Sequence, residues 1–429
     1  MSKTNIPLLR NGQQSFVLPF ILLTSLFFMW GLANNMTDTL LAAFKKIMSM
    51  SDFQTSWIQI AFYGSYFCLA IPAALFIKRF TYKSGILLGL GMFILGALLF
   101  YPASKTQVYG HFLAALFILA GGLSILETTA NPYVIILGSP VNATRRLNLA
   151  QSFNPFGSIT GIALSRIFIL PQLNSASAVE RSSMTADQLY SIQSEELKAV
   201  MGPYVGVGIF LVLIWILLSV SRMPRAYDSD HGENFGKTLL RLFKNRNYRN
   251  GVIAQFFYVG AQIGVWSFTI RFAMHELGIN EASASEYYLA AIVLFSASRF
   301  IFTMLMKYIS PVKLLIFSAS MAILSSLCVL AGHGLFAVLA LVSISGFMSL
   351  MFPTIFGIAV EGLGEDTKIG GSGLIMAILG GALITMAQGK VSDSSGSIQL
   401  SYIIPLICFA VILFYGIISV STRKVIASS

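Results

Sequence analysis

The sequence predicts an all-α membrane protein whose twelve transmembrane helices form two pseudo-symmetric six-helix bundles. Three observations predict this fold class. The 429 residues are 56% hydrophobic and only 10% charged, whereas soluble proteins average about 45–50% and about 25%. Twelve apolar runs are long enough to cross a hydrocarbon core of about 30 Å. Short sequence patterns of the first six runs recur, in order, in the last six.

The apolar runs are separated mostly by short polar turns. The fifth and eleventh are rich in Gly, Ser and Asn, and we count them as spans because small residues allow close helix packing inside a bundle. The twelve predicted spans cover residues 16–44, 53–77, 84–103, 109–138, 147–170, 203–221, 250–274, 285–307, 312–331, 335–362, 370–390 and 400–421.

The basic residues are concentrated in alternate connections. If both termini are cytoplasmic, nineteen Lys and Arg residues fall on the cytoplasmic side, which agrees with the positive-inside rule. Six fall outside: Lys45, Lys46, Lys105, Arg181, Lys198 and Lys390. The net charge of +11 is therefore a signal of topology, and we expect no binding to nucleic acid.

Two longer connections organise the chain. The inner one, 222–249, is a predicted cytoplasmic linker between an N-terminal bundle, 1–221, and a C-terminal bundle, 250–429. The apolar and basic positions of its segment Lys237–Lys244 suit a helix at an anionic membrane surface. The outer connection, 171–202, carries four acidic residues around an amphipathic patch. A solvated loop is expected there, and a short surface helix is the alternative.

The two halves look like copies of one unit. Phe27–Gly31 in the first run corresponds to Phe256–Gly260 in the seventh, at an offset of 229 residues. Near the same offset, the basic turn Lys78–Lys83 corresponds to Lys307–Lys313. Parallel six-helix repeats joined by a cytoplasmic loop are typical of the major facilitator architecture, in which the site lies near the membrane midplane between the halves.

Only two of the seventeen acidic residues, Asp38 and Glu127, lie well inside apolar spans. An Asp at the centre of a membrane helix costs about 2.5–3.5 kcal/mol on insertion scales, so a function is expected for it. Low-dielectric surroundings favour the protonated carboxyl, and contact with water favours the ionised one, which is what a proton carrier requires. The alternative is a buried ion pair with a basic residue such as Arg166, Arg271 or Arg299.

Amide side chains accompany these carboxyls. Asn34 and Asn35 precede Asp38 by about one turn, and Asn131 follows Glu127 by one turn. Their amides supply donors and acceptors together, which suits the vicinal hydroxyls of a sugar. The alternative use is hydrogen bonding between helices.

A second pair of amides lies in the fifth run. Gln151 and Asn154 are three residues apart, which predicts that they share one face of a continuous helix. We include both in the predicted sugar site.

The seventh run supplies Gln262 and Trp266, four residues apart. An aromatic ring can pack against the apolar face of a pyranose. A Trp near a helix end is more often an interfacial anchor, but Trp266 lies deep in the run, so we predict a site role. Trp30 and Trp215 are interpreted as packing residues.

Five stretches of the chain carry a family resemblance: Leu26–Asp38, Leu126–Pro132, Arg146–Asn154, Phe257–Gln262 and Pro353–Phe356. With these stretches the sequence resembles the fucose–galactose–glucose:proton symporter family of the major facilitator superfamily. It implies proton-driven uptake of a monosaccharide across a bacterial inner membrane.

The resemblance also implies roles for single residues. Asp38 matches the carboxylate that takes up the proton, and Glu127 matches the one that couples protonation to the sugar. Asn35, Gln151 and Asn154 fall on positions that resemble the family's polar cavity.

The chain departs from the family pattern at Thr37 and at Met351-Phe352, where polar residues are expected. A site that loses hydrogen-bonding groups discriminates differently among hydroxylated ligands. The substrate therefore stays open among L-fucose, galactose, glucose and less polar sugars. A proton-coupled exporter of drugs or other small molecules with the same fold is the alternative function.

Enzymatic activity is not expected. The four His residues fall near run ends or in loops, no HExxH motif occurs, and no Ser or Cys has an obvious base. Cys68, Cys328 and Cys408 lie singly in apolar runs. We expect no metal and no cofactor other than the coupling proton, a lipid bilayer as the environment, and a monomer.

Overall fold

The structure is a computed structural model that describes residues 8–11, 14–47, 52–106, 108–172, 180, 181, 183–221, 223 and 235–428. Two short strands, β1 (Arg10–Asn11) and β2 (Gln14–Ser15), form an antiparallel hairpin before the first helix. The other regular elements in these ranges are helical, as predicted.

Sixteen α-helices are described. They are α1 (Val17–Ile47), α2 (Asp52–Arg79), α3 (Tyr82–Thr106), α4 (Tyr109–Ile136), α5 (Ala143–Gln151), α6 (Asn154–Leu164), α7 (Ala186–Val220), α8 (Phe235–Lys244), α9 (Arg246–Leu277), α10 (Glu281–Leu305), α11 (Pro311–Ala331), α12 (Gly334–Met348), α13 (Met351–Ala359), α14 (Thr367–Met376), α15 (Gly380–Ser395) and α16 (Ile403–Ser428).

Helices account for all twelve predicted spans. Ten stretches of the described residues are long and apolar enough to cross a membrane, and they match the second, third, fourth and sixth to twelfth predicted runs. The first run lies within α1. The fifth is divided into α5 and α6, followed by a π-helical turn at Ser165–Ile169.

Two spans are interrupted shortly before a proline. The fifth breaks at Ser152-Phe153, ahead of Pro155, and the tenth breaks between α12 and α13, ahead of Pro353. Proline has no backbone N–H, so the carbonyl four residues earlier loses its helical partner. The affected carbonyls are those of Gln151 and Ser349.

The chain forms two compact units. One contains residues 1–20, 131–152 and 226–429, and the other contains residues 21–130 and 153–225. Within the first unit, α5 packs against α10 and α13, so a segment from the first half of the sequence contacts helices from the second half. The predicted boundaries at 221 and 250 stay a prediction.

The outer connection differs from the expected solvated loop. Thr185 caps α7 through a capping box with Gln188, and this signal starts the helix at Ala186, well before the predicted span. Arg181 and Glu196, which are 2% and 1% exposed, form a bidentate ion pair with N–O distances of 2.9 and 2.6 Å. The connection is therefore helical from Ala186 and is held by a buried ion pair. The expectation of a solvated loop was wrong for these residues.

The predicted helix of the inner connection is confirmed as α8. It packs against α14 and α9. Arg241 binds Asp366 through two hydrogen bonds of 2.9 and 2.8 Å. The linker is thus anchored to the unit that contains the C-terminal helices.

Glycines let two pairs of helices cross backbone to backbone. In the second unit, a Cβ atom on Gly157 of α6 would lie 1.8 Å from the carbonyl oxygen of Phe28 in α1. In the first unit, a Cβ atom on Gly380 of α15 would lie 2.1 Å from the carbonyl oxygen of Phe256 in α9. Phe28 and Phe256 belong to the repeated pentapeptides, so the repeat in the sequence is also a repeat in helix packing.

Candidate functional site

Glu127 is a buried carboxyl with a neutral partner. Its side chain in α4 is 5% exposed, and the hydroxyl of Tyr66 in α2 donates to its Oε1 at 3.0 Å. An unpaired charge in apolar surroundings is costly, and a hydrogen-bond donor lowers that cost. Tyr66 therefore holds Glu127 in position while leaving it free of a permanent counter-ion.

The predicted alternative, an ion pair with an arginine, is not seen for Glu127 among the described residues. Arg271 lies over the ring of Phe268, 4.3 Å from its centroid, and Arg299 binds backbone carbonyls. The side chain of Arg166 lies outside the described part of the structure.

Tyr66 is itself fixed from several sides. Its backbone carbonyl accepts from the hydroxyl of Ser124 at 3.0 Å, and its ring lies 5.3 Å from that of Phe62. Trp30, interpreted from the sequence as a packing residue, stacks on Phe27 with ring centroids 5.7 Å apart.

Asn131 and Gln151 form a buried amide pair in the first unit. The Nε2 of Gln151 donates to the Oδ1 of Asn131 at 2.8 Å, and the two side chains are 6% and 0% exposed. The Nδ2 group of Asn131 has no hydrogen-bond partner among the described residues. The pair therefore contains a buried donor group whose hydrogen-bonding capacity is not used within the described residues.

The predicted placement of Gln151 and Asn154 on one face of a continuous helix was wrong. Gln151 ends α5, and Asn154 begins α6 after a two-residue break. The Nδ2 of Asn154 donates to the carbonyl of Phe27 in α1 at 3.2 Å. Pro155 is the physical cause, because it removes the N–H that would continue the helix.

The first helix carries the remaining residues of the predicted proton and sugar site. Asn35 is half-buried, and its Nδ2 donates to the carbonyl of Gly31 at 3.4 Å. A Cβ atom on Gly31 would lie 1.9 Å from the carbonyl oxygen of Asn154, so Asn35 and Asn154 flank one helix crossing. The side chains of Asn34 and Asp38 lie outside the described part of the structure.

Trp266 and Gln262 lie one turn apart on α9 and are both half-buried. The indole N–H of Trp266 donates to the hydroxyl of Ser345 at 3.2 Å, and its ring meets Phe295 edge to face with centroids 5.0 Å apart. No hydrogen bond is assigned to Gln262 within the described ranges. Trp266 is thus held by two neighbouring helices, α10 and α12, as a preorganised aromatic surface needs to be.

Arg299 of α10 is a buried cation that the site prediction did not include. It is 4% exposed and stacks on Phe295, 4.5 Å from the ring centroid. Its Nε donates to the carbonyl of Ser349 at 2.6 Å, and its Nη1 donates to the carbonyl of Gln151 at 3.0 Å. These carbonyls end α12 and α5, where the helix dipole is negative.

The departures from the family pattern lie in α13. Met351 is fully buried, whereas Phe352 is half-buried and meets Tyr258 with ring centroids 6.2 Å apart. Of the two, only Phe352 has a partly exposed side chain. Within the described residues no group of three His, Cys, Asp or Glu side chains could hold a metal ion.

Known proteins are similar to this chain over nearly its whole length. The sequence matches the profile of the Major Facilitator Superfamily over residues 21–379. It is 42% identical to the L-fucose-proton symporter of Haemophilus influenzae, over 94% of this chain and 97% of that protein. It is 39% identical to the L-fucose-proton symporter of Escherichia coli, over 94% and 93%. Identity to the glucose/galactose transporter of Brucella abortus is 35%, over 95% of each.

Solved structures share the fold. The crystal structure of the major facilitator transporter FucP in the outward conformation superposes with a TM-score of 0.89 at 38% identity, covering 94% of this chain and 99% of FucP. The proton:xylose symporter XylE gives a TM-score of 0.68 at 11% identity, covering 92% and 94%, and is similar in fold alone. The predicted fold class and the predicted resemblance are confirmed.

Proposed function

The chain belongs to the Major Facilitator Superfamily, and on this basis we propose that it is a proton-coupled symporter that imports a monosaccharide by alternating access. Curated relatives with identities of 42% and 39% are L-fucose-proton symporters that align over nearly the whole chain. Within the structure, the observation that carries the proposal is Glu127, a buried carboxyl held by the hydroxyl of Tyr66 and by no cation in the described region.

Asp38 and Glu127 have different roles in proton coupling in this proposal. A proton binds Asp38 in the outward-open state, and neutralisation removes a charge that would oppose closure of the site. Glu127 couples protonation to the sugar, because its second oxygen can accept from a sugar hydroxyl while Tyr66 binds the first. After closure, Asp38 releases its proton inside.

Amide side chains and an aromatic ring are the proposed sugar ligands. The unpartnered Nδ2 group of Asn131, oriented by Gln151, donates to a sugar oxygen. Asn34 and Asn35 of α1 and Asn154 of α6 are further proposed sugar ligands. Gln262 and Trp266 supply a further hydrogen-bonding group and a ring against the apolar sugar face.

We assign L-fucose or a related hexose as the substrate. The two L-fucose-proton symporters have higher identity than the glucose/galactose transporters, which favours L-fucose. Phe352 contributes an aromatic edge where the family pattern has a polar group, which favours a less hydroxylated face of the sugar. An exporter of apolar drugs would need a wide apolar cavity, and the full burial of Met351 gives that alternative no support.

The protein acts as a carrier in the bacterial inner membrane, with both termini in the cytoplasm, and it has no enzymatic turnover. The coupling proton is the only ion required, no cofactor takes part, and one chain is the working unit. Domains 1–221 and 250–429 move relative to each other about the linker 222–249.

The proposal is tested in proteoliposomes that contain the purified chain. An inward proton gradient should drive accumulation of labelled L-fucose, and a competition panel of L-fucose, D-galactose, D-glucose and N-acetylated hexoses ranks the substrates. A lipophilic cation serves as the comparison for drug transport. Accumulation of the cation and not of any sugar would contradict the proposal.

A further inference from the structure

An apolar groove lies on the surface between α3 and α7. Its volume is about 460 Å³, within the range of roughly 300–1,000 Å³ that is usual for ligand pockets. Its walls include Leu87, Leu88, Gly91 and Leu95 of α3 and Val212 and Trp215 of α7. Leu88, Leu95, Val212 and Trp215 are exposed, so the groove opens outward from the helices that span the membrane.

Two residues give the groove its shape. A Cβ atom on Gly91 would have only one neighbour within 4 Å, the Nε1 of Trp215 at 3.9 Å, so the missing side chain leaves open space. The indole N–H of Trp215 donates to the carbonyl of Leu87 at 2.9 Å. This bond fixes the ring as a wall and leaves no unsatisfied donor facing the groove.

Two basic residues, Lys83 and Arg79, lie close in sequence to Leu87 at one end of the groove. Lys83 lies one turn before Leu87 on α3, and its Nζ donates to the carbonyls of Ser219 and Ser221 at 2.7 and 2.8 Å. An ammonium group has three donors, so one N–H remains after these two bonds. Arg79 ends α2 and is exposed, with its guanidinium 5.7 Å from the ring centroid of Phe80.

No carboxylate balances these charges from the same stretch of chain. Residues 53–126, which include most of α2, all of α3 and the turn between them, contain neither Asp nor Glu. Among the described residues, neither Lys83 nor Arg79 forms a salt bridge. A cation at a membrane surface without an acidic neighbour attracts anionic lipid headgroups.

We propose that this groove binds an anionic phospholipid, with one acyl chain between α3 and α7 and the phosphate at Lys83 and Arg79. The apolar walls fit a hydrocarbon chain, and the basic end fits a phosphate that carries net negative charge. A zwitterionic headgroup binds less well because its own cation meets the same basic residues. The site belongs to one compact unit and does not depend on the identity of the transported sugar.

Native mass spectrometry of the full-length chain in detergent tests the proposal. The chain is titrated with phosphatidylglycerol and, separately, with phosphatidylcholine of the same acyl chains. We expect one phosphatidylglycerol to be retained at least tenfold more tightly than phosphatidylcholine. Gly91→Phe, which fills the groove, should abolish this difference, and Arg79→Gln should weaken phosphatidylglycerol binding about fivefold, the effect of roughly 1 kcal/mol per basic residue.

Ser320→Phe is the matched control, because Ser320 is an exposed position on α11 outside the groove. It should retain phosphatidylglycerol as the unmodified chain does. Equal retention of the two lipids by the unmodified chain, or unchanged retention by Gly91→Phe, overturns the proposal.

A second measurement does not depend on how Gly91→Phe folds. Brominated acyl chains quench indole fluorescence on contact, and Trp215 lines the groove. Brominated phosphatidylglycerol should quench the unmodified chain more than brominated phosphatidylcholine does, and Trp215→Phe should lack this excess. Equal quenching by the two lipids overturns the proposal.

Discussion

The guanidinium group of Arg299 donates to the backbone carbonyl of Gln151, which is the carbonyl that Pro155 leaves without its helical partner. The same side chain donates to the carbonyl of Ser349, which lies four residues before Pro353. One buried cation therefore supplies hydrogen bonds to the unpaired carbonyls at two helix breaks. Helix α5 comes from the first half of the sequence and α12 from the second. Separation of these two helices therefore requires that Arg299 lose one of its hydrogen bonds.

Pro155→Ala should uncouple Arg299 from α5. An alanine supplies the missing N–H to the carbonyl of Gln151, so we expect slower amide exchange across residues 151–155. In the unmodified chain, Arg299→Lys should cost about 1–3 kcal/mol, because an ammonium cannot reproduce the forked geometry and leaves a buried carbonyl without a donor.

A double-mutant cycle of thermal unfolding in detergent measures the coupling. In the Pro155→Ala background the cost of Arg299→Lys should fall by about 0.5 kcal/mol or more. Strictly additive effects of the two substitutions on the free energy of unfolding would show that the bond from Arg299 to Gln151 does not compensate for Pro155.

Glu127→Gln should remove the pH dependence of sugar binding. The amide retains an acceptor for the hydroxyl of Tyr66 but cannot ionise, so the affinity should be constant between about pH 5 and pH 9. Tyr66→Phe is the matched variant, since it keeps the carboxyl and the packed ring and removes only the donor. It should keep a pH dependence and weaken binding about tenfold, because a buried carboxyl loses a hydrogen bond. Isothermal titration calorimetry at several pH values makes the comparison, and an unchanged pH profile in Glu127→Gln would reduce Glu127 to a structural residue.

Asp38→Asn should separate exchange from accumulation. The neutral side chain mimics the protonated carboxyl permanently, so sugar should still bind and exchange across the membrane. Accumulation driven by a pH gradient should be lost, because no proton is carried. Paired counterflow and gradient-driven uptake assays in proteoliposomes test this, and concentration of sugar by Asp38→Asn would rule out Asp38 as the carrier.

Gln151→Leu should weaken sugar binding about tenfold, equivalent to about 1.4 kcal/mol, because Asn131 then loses the donor that orients it. The matched control is Gln255→Leu. Gln255 is also fully buried, but neither of its side-chain polar atoms has a hydrogen-bond partner in the described region, so its loss should be neutral or stabilising. Equal effects of the two substitutions on affinity would show that the amide pair has no special role.

Gly157→Ala should destabilise the crossing of α1 and α6. The added Cβ would lie 1.8 Å from the carbonyl oxygen of Phe28, so the helices must separate. We expect a loss of about 1–3 kcal/mol, typical of overpacking, and reduced transport since α1 carries Asn35 and Asp38. Gly110→Ala is the control, because a Cβ there has no neighbour within 4 Å. Equal melting temperatures for the two variants would contradict the close crossing.

The spans were predictable from the sequence because apolar length and positive charge report directly on burial in a bilayer. Glu127 was predictable for the same reason, since a carboxyl in an apolar run stands out. The repeated pentapeptides also contain Phe28 and Phe256, whose carbonyls lie at the two helix crossings, although the glycines that approach them, Gly157 and Gly380, were found only in the structure.

Other contacts could not be read from spacing. Tyr66 is one aromatic residue among many in α2, and nothing local distinguishes it as the partner of Glu127. Gln151 and Asn154 have helical spacing, and the error in placing them on one helix arose because Pro155 was weighed less than the apolar length of the run. Pro155 and Pro353 were the available signals for a buried donor such as Arg299, since each proline leaves the carbonyl four residues earlier without its helical partner.

The buried pair of Arg181 and Glu196 limits where the protein can be modified. A connection that is polar in sequence invites the insertion of an epitope, a protease site or a fluorescent label. Here, separating the two side chains would leave an uncompensated charge 1–2% exposed, at a cost of about 3–5 kcal/mol. Reporter groups in this connection therefore belong at exposed positions such as Tyr190, and not at the ion pair that holds the start of α7 in place.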